Sequence, residues 1–323
     1  MMKFGNKVVV LGAGGWVGRE VIARLSEQKY QVTAVVKRAS RNRELALYPN
    51  VKVRDVLDWS LDKVEGYLAD QDIVINLLTD QSNNNEACPD DRLRELQAGL
   101  VLAAEEQAIA RWVQLSHLGA GVQAATPWAQ LCAILDDMVQ ASRSMLVTIM
   151  RPGLLIGQGD DTTTLYNAQL QRAKFMMLPY AERQVQPLWI RDFARALVLA
   201  IKQAASYGKV WELAGDEPMS VQDLASWVAQ FQGIDNPTLL PMCQMNAKFM
   251  ALLGPLAPFR VTTSYQNKRL ANDQLTEQEF AALTGFKPRQ IEAVLSDYIS
   301  QMKTRQRYDF LRRNAGRNST PSA

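Results

Sequence analysis

The stretch Lys7-Val8-Val9-Val10-Leu11-Gly12-Ala13-Gly14-Gly15-Trp16-Val17-Gly18-Arg19-Glu20-Val21-Ile22-Ala23-Arg24-Leu25 sets a β-branched run, a glycine-rich turn and a helical repeat in direct succession. Val8 to Leu11 read as a buried strand. Gly18 to Gln28 then carry apolar residues at helical spacing, with Val21, Ile22 and Leu25 on one face. Between them, Gly12 permits a tight turn, Gly14 and Gly15 leave the backbone open to a pyrophosphate, and Gly18 lets the helix pack closely on the strand. The turn from Gly12 through Trp16 and Val17 to Gly18 is expected to hold an NAD(P)-type dinucleotide. Backbone N–H groups and the helix dipole would meet the phosphate charge. The alternative is a glycine-rich turn that binds nothing.

Outward from this unit, short apolar runs alternate with helical patterns: Val32 to Val36, Val51 to Val53, Ile73 to Leu78, Trp112 to Leu115 and Leu146 to Met150, with a helix over Leu93 to Gln107. Such alternation predicts an α/β fold, a doubly wound parallel sheet of the Rossmann type. After Arg151-Pro152 the pattern loosens, so residues 1–157 are read as the dinucleotide-binding domain. The chain is expected to return to the sheet around 185–215, with a strand at Leu188 to Ile190, a helix from Asp192 to Gln203 capped by Asp192, and a strand at Val210 to Leu213. Residues 158–184 and 216–302 form a smaller lobe, mostly helical from Asp223 onward. Residues 303–323 are a basic tail, expected to be largely disordered.

Which dinucleotide binds is set at the end of the second strand. An acid there would favour NAD by bonding the ribose 2′-hydroxyl. Instead the strand ends Val35-Val36-Lys37-Arg38, and Arg19 follows the last glycine of the turn. Three cations suit a 2′-phosphate, so NADP is expected over NAD. A solvated strand end is the plainer reading of Lys37 and Arg38.

Composition narrows the functional classes. At 323 residues, 47% hydrophobic and 21% charged, the chain has the make-up of a globular protein with a sizeable core. The net charge is +3, but Lys303, Arg305, Arg307, Arg312, Arg313 and Arg317 face Asp309 alone in the last segment. The body is therefore slightly acidic, which argues against a specific nucleic-acid partner. Cys88, Cys132 and Cys243 fit neither a zinc spacing nor a CxxC pair, and His117 is the sole histidine, so no metal is expected. The start of the sequence leaves no room for a secretory signal before Val8, and a cytoplasmic location is expected.

Seven stretches, KVVVLGAGGWVGREVIARL, VRDVLDWSL, DIVINLL, WVQLSHLGA, IMRPGLLIGQGD, QPLWIRDFARAL and KVWELAGDEPMSVQDLA, occur in the order found in extended, atypical short-chain dehydrogenases/reductases. The chain resembles that family, which also takes in proteins like NAD-dependent epimerases/dehydratases. It is most similar to the branch holding the dehydrogenase-like accessory subunit of respiratory complex I and its bacterial relatives. The resemblance covers most of residues 7–300. It implies that Asp55, followed by Val56, meets the adenine amino group, that Asn76, Leu77 and Leu78 wall the adenosine, and that Ser116 and the turn Arg151-Pro152-Gly153 lie near the nicotinamide. From the residues alone, Asp55 equally reads as a strand end.

The same resemblance implies a Tyr-x-x-x-Lys pair at the start of the helix after Ser116-His117-Leu118-Gly119-Ala120. In register, Trp128 stands at the tyrosine and Cys132 at the lysine. Indole N–H donates a hydrogen bond but is no acid near neutral pH, and a thiol supplies no cation. No catalytic residue follows from that pair. Ser116 and His117 are the remaining candidates, against a packing or hydrogen-bonding role. Cys132 as a reactive thiol lacks a neighbouring base, and Asp160 and Asp161 read as a turn rather than an acid pair.

Met242 to Phe259 is strongly apolar but broken by prolines at 255 and 258, too interrupted to span a bilayer. It reads as core packing, or as a pocket wall or patch for a quinone or lipid-like molecule. The tail mixes cations with Tyr308, Phe310 and Leu311, a composition suited to peripheral contact with the inner face of an anionic membrane. A solvated helix extension is the alternative. Three function classes stay open: a structural or redox-sensing dinucleotide binder, an NADPH-dependent oxidoreductase acting on an apolar carbonyl, quinone or isoprenoid, and an interaction module with an empty turn.

Overall fold

The structure, a computed structural model, describes residues 4–82, 86–173, 175–234, 236–243, 245–246 and 261–299. Six strands follow one another as β1 (Lys7–Leu11), β2 (Gln31–Val36), β3 (Val51–Asp55), β4 (Ile73–Asn76), β5 (Arg111–Leu115) and β6 (Leu146–Pro152). The helices between them are α1 (Trp16–Glu27), the short α2 (Leu61–Val64), α3 (Asp90–Glu106) and α4 (Pro127–Gln140). Two short strands, β7 (Leu155–Ile156) and β8 (Phe175–Pro179), flank α5 (Thr163–Ala173). Then come β9 (Gln184–Val185), β10 (Leu188–Trp189), α6 (Ile190–Ala200), β11 (Lys209–Leu213), β12 (Met219–Ser220), α7 (Val221–Phe231) and β13 (Thr238–Met242). Three helices close the described chain: α8 (Ser264–Leu270), α9 (Phe280–Thr284) and α10 (Ile291–Tyr298).

Seven strands form one parallel sheet in the order β11-β6-β5-β4-β1-β2-β3. This is the predicted doubly wound sheet, with the strand order reversing direction at β1 and β4. Strand residues alternate between two apolar layers because successive side chains point to opposite faces. Val8 and Val10 pack with Val21, Ile22 and Leu25 of α1 and Phe193 and Leu197 of α6. Val9 and Leu11 pack with Leu96 and Leu100 of α3 and Trp128 and Leu135 of α4. A third layer unites Tyr166 and Leu170 of α5, Met176 and Leu178 of β8, Leu224 and Val228 of α7 and Leu295 of α10.

Several sequence expectations are corrected. The fourth strand stops at Asn76, and Leu77 and Leu78 already belong to the turn beyond it. Leu188–Trp189 pairs with Leu155–Ile156 outside the main sheet, so Lys209–Leu213 alone makes the return. Asp192 lies in the first turn of α6 and not at its cap, where its Oδ2 accepts from the Arg289 N–H at 2.7 Å. Thr238–Met242, within the stretch read as mostly helical, is a strand parallel to β8. Ser220 starts α7 as expected, through a capping box with Asp223. Within Met242–Phe259, residues 244 and 247–259 lie outside the described residues, as does the whole basic tail.

Candidate dinucleotide site

The glycine turn sits at the carboxyl edge of the sheet, between β1 and α1, where ligands bind in this architecture. Gly12 has φ +80°, a left-handed conformation, and a Cβ there would come within 3.1 Å of the Leu77 carbonyl carbon. A Cβ on Gly18 would lie 2.6 Å from the Ala13 carbonyl oxygen, so this glycine is what lets α1 start so close to the turn. Both requirements are steric.

Anionic and polar side chains meet the donors of the turn. Asp80 Oδ2 accepts from Val17 N–H at 2.9 Å, and Ser82 Oγ accepts from Trp16 N–H at 3.3 Å. Asp80 Oδ1 also accepts from Ser82 N–H at 3.0 Å. The amino end of α1 therefore takes a negative oxygen, which is the property a diphosphate requires of it. At the end of β2, Glu86 Oε2 accepts from Lys37 N–H at 2.8 Å, and Glu86 Oε1 accepts from Asn42 Nδ2 at 2.9 Å. Arg19 donates to Asn42 Oδ1 at 3.3 Å and pairs with Glu44 at 3.1 Å. Arg19 and Arg38 are exposed, and Lys37 is half-buried. The donor set fits a dinucleotide along this edge.

The other expected adenosine residues fall on the same edge. Asp55 ends β3 with its side chain exposed, while Val56 is buried. Asn76 is turned inward, donating to Gln97 Oε1 at 2.7 Å and accepting from Leu78 N–H at 3.1 Å. It holds the turn after β4 rather than presenting a free amide. Leu77 and Leu78 are buried.

Further along, a narrow cleft is lined by Trp16, Val17, Asp80, Leu115, Ser116, His117, Pro152, Leu155, Tyr265 and Arg269. Ser116 Oγ donates to Asp136 Oδ2 at 2.7 Å, and Arg151 grips the same oxygen from Nε at 3.0 Å and Nη2 at 2.9 Å. Burial pushes the Asp136 carboxyl up to about 6, against the opposing pull of Arg151 and Ser116. His117 is buried, and desolvation together with Arg269 and Arg151 lowers its pKa to about 3. It is a neutral imidazole at neutral pH, and its Nε2 has no partner among the described residues. Gly153 accepts from Arg269 Nη2 through its carbonyl at 2.9 Å.

Trp128 and Cys132 lie on α4, both buried. The Trp128 ring has the Lys268 ammonium 4.8 Å from its centroid and Tyr265 edge-on at 6.4 Å. Its indole nitrogen has no partner among the described residues. Burial, ahead of the nearby Asp136 charge, pushes the Cys132 thiol well up, so it is no nucleophile. Asp160 takes the Gly157 N–H at 2.9 Å and the Thr162 N–H at 2.8 Å, which is a turn.

Sequence reading missed Asp80, Asn42, Glu86, Tyr265 and Arg269. The first three carry a weak signal, since polar residues just past the carboxyl ends of parallel strands face the ligand edge. Tyr265 and Arg269 arrive from α8, and nothing local announces it. Among the described residues no His, Cys, Asp or Glu cluster could hold a metal. No helix there is long and apolar enough to cross a membrane.

Fold and turn together define a dinucleotide-binding α/β protein. The NAD(P)H-binding family matches residues 12–182, more than half of the chain, and the chain belongs to that family. It is similar to NADH dehydrogenase [ubiquinone] 1 alpha subcomplex subunit 9, mitochondrial, of Dictyostelium discoideum, at 22% identity over 72% of this chain and 67% of that one. It is also 22% identical to the NAD(P)H azoreductase of Xenophilus azovorans, over 70% of this chain and 74% of the relative. The NADPH-dependent quinone oxidoreductase of Escherichia coli, solved with NADPH, superposes with a TM-score of 0.68 at 17% identity, over 90% of this chain and 99% of that one. The likeness read from the sequence, to atypical short-chain dehydrogenases with a complex I subunit among them, agrees with these matches.

Proposed function

We propose that the chain holds an NADP-type dinucleotide in a structural or redox-sensing role, without the proton-transferring tyrosine and lysine of its family. One observation carries this reading: Trp128 and Cys132, which the resemblance sets at the places of that pair, are a buried indole and a buried thiol whose pKa burial raises. Neither can pass a proton to a substrate oxygen or hold a ribose by charge. Arg19, Lys37 and Arg38 near the end of β2 support the 2′-phosphate form. The likeness to a subunit of NADH dehydrogenase [ubiquinone] supports a place beside a quinone-linked membrane complex, with the basic tail as the contact to an anionic surface. Residues 158–184 and 216–302 then act as the partner-facing lobe of a 1–157 binding domain.

The cleft favours a second reading, reduction of an apolar carbonyl or quinone. A reduced nicotinamide, when bound, supplies hydride. Ser116 would orient the substrate oxygen, the neutral His117 would offer a hydrogen bond, water would supply the proton that follows the hydride, and Tyr265 and Arg269 would close the site.

Binding without turnover still stabilises the fold, by about 2.7 kcal/mol when ligand is a hundredfold above Kd. NADPH should therefore raise the melting temperature by several degrees and NADH by less, and gently purified protein should carry dinucleotide in mass spectra. No shift with either nucleotide would overturn the assignment. Steady NADPH oxidation on adding a quinone would move the balance to the second reading.

A further inference from the structure

Two carboxylates occupy this site, and among the described residues neither has a cation as a hydrogen-bond partner. Asp80 is 5% exposed and Glu86 4% exposed, and the charge of each is met by N–H groups: Val17 and Ser82 for Asp80, Lys37 and the Asn42 amide for Glu86. Burying a carboxylate is costly unless its oxygens are fully hydrogen-bonded, so these donors are what hold the acids in place. The spacing to the turn is close. A Cβ on Gly15 would lie 2.5 Å from Asp80 Oδ2, and one on Gly14 would lie 2.5 Å from Glu86 Oε2. The acids thus stand against the two glycines that keep the backbone open.

These donors are the ones an incoming dinucleotide needs. The amino end of a Rossmann helix receives the diphosphate, and the end of the second strand receives the adenosine ribose. We propose that Asp80 and Glu86 are internal competitors for the dinucleotide's own anionic groups, and that Glu86 sets how strongly a 2′-phosphate is preferred. This rests on the dinucleotide reading of the site and goes beyond it in assigning two residues that oppose binding.

The consequences differ for the two acids. Asp80 on the Val17 N–H excludes a diphosphate oxygen from that donor, whichever dinucleotide arrives. Glu86 distinguishes between them. A free 2′-hydroxyl can donate to its carboxylate, so NADH can bind with Glu86 in place. A 2′-phosphate repels it, so NADPH must first displace Glu86, a cost that Lys37, Arg38 and Arg19 then more than offset, leaving NADPH ahead by less than those cations alone would give. Apparent affinity falls by the fraction of molecules whose site is open, so self-occupation of nine molecules in ten weakens binding about tenfold.

The test is equilibrium binding of NADPH and NADH, by calorimetry, to the full chain and to Asp80→Asn, Asp80→Ala and Glu86→Gln, with circular dichroism to confirm folding. Loss of charge at Asp80 should tighten both nucleotides, by about tenfold in Asp80→Ala. Glu86→Gln should tighten NADPH several-fold more than NADH. Asp80 variants that fold and bind both nucleotides no better than the parent would overturn the proposal while leaving the site intact. An unchanged NADPH-to-NADH ratio in Glu86→Gln would remove the selecting role. Binding of neither nucleotide to any of the four proteins would overturn the site reading and the proposal together.

Discussion

The two ends of the groove are made from different materials. At the α1 end, the anion-receiving groups are backbone N–H donors at Trp16, Val17 and Lys37, fixed by the turn and by strand pairing. At the β5 and β6 end the groups are side chains, and Trp128 and Cys132, which the resemblance sets at the catalytic pair, are packed into the core. A backbone donor survives any substitution that keeps the turn; a side-chain acid is lost in a single exchange. On the proposed reading, the binding half persists while the proton-transferring half becomes ordinary core.

If Trp128 is core, removing it should cost stability and leave binding alone. Its ring packs among Leu96, Leu100, Cys132 and Leu135 in one apolar layer, under Tyr265 and the Lys268 ammonium. Trp128→Ala should destabilise the fold by about 3–5 kcal/mol in denaturant titration. NADPH affinity, measured where the variant is still folded, should change less than about threefold, a shift under 1 kcal/mol. A large loss of affinity with little loss of stability would reverse the assignment and make the indole part of the site.

Gly15→Asp tests the opposite end. Its Cβ would fall 2.5 Å from Asp80 Oδ2 and 3.3 Å from the Gly12 carbonyl oxygen, and it would bring a second carboxylate to the amino end of α1. Dinucleotide affinity should drop about a hundredfold, some 2.7 kcal/mol, with the helical circular dichroism retained. Parent-like binding by this variant would mean that the turn does not hold the diphosphate.

How much was legible in the sequence follows the same division. The parallel sheet and the glycine turn were readable because strand and helix periods and glycine spacing are local signals. Asp80 and Glu86 were not, because each meets its donor across 63 and 49 residues respectively. Arg269 reaches Gly153 across 116 residues, with no motif to mark it. β13 was read as part of a helical stretch although Pro241 disfavours a helix, and the two-stranded ladder with β8 tolerates that proline. Asp192 looked like a cap because acids favour that place, but α6 starts earlier, at Ile190, whose side chain is buried in the layer with α1.

A smaller effect separates two residues of the cleft that burial drives in opposite directions. His117, held near 3 against an ordinary 6.5, is protonated more readily in the unfolded chain, so its contribution to stability is present above pH 6.5 and lost as pH falls toward 3. Asp136, raised to about 6 from 3.8, contributes stability that is complete below 3.8 and lost as pH rises through 6. Between about pH 4 and 6 the two contributions oppose each other. Relative to the parent, His117→Gln should make stability fall more with rising pH across that window, by about 1 kcal/mol per pH unit, and Asp136→Asn should make it rise more. Denaturant titrations of the parent and the two variants at pH 4, 5 and 6 read this directly. A slope unchanged from the parent in either variant would show that its group is solvated in the folded protein, and that the β5 and β6 end is less closed to water than its side chains make it.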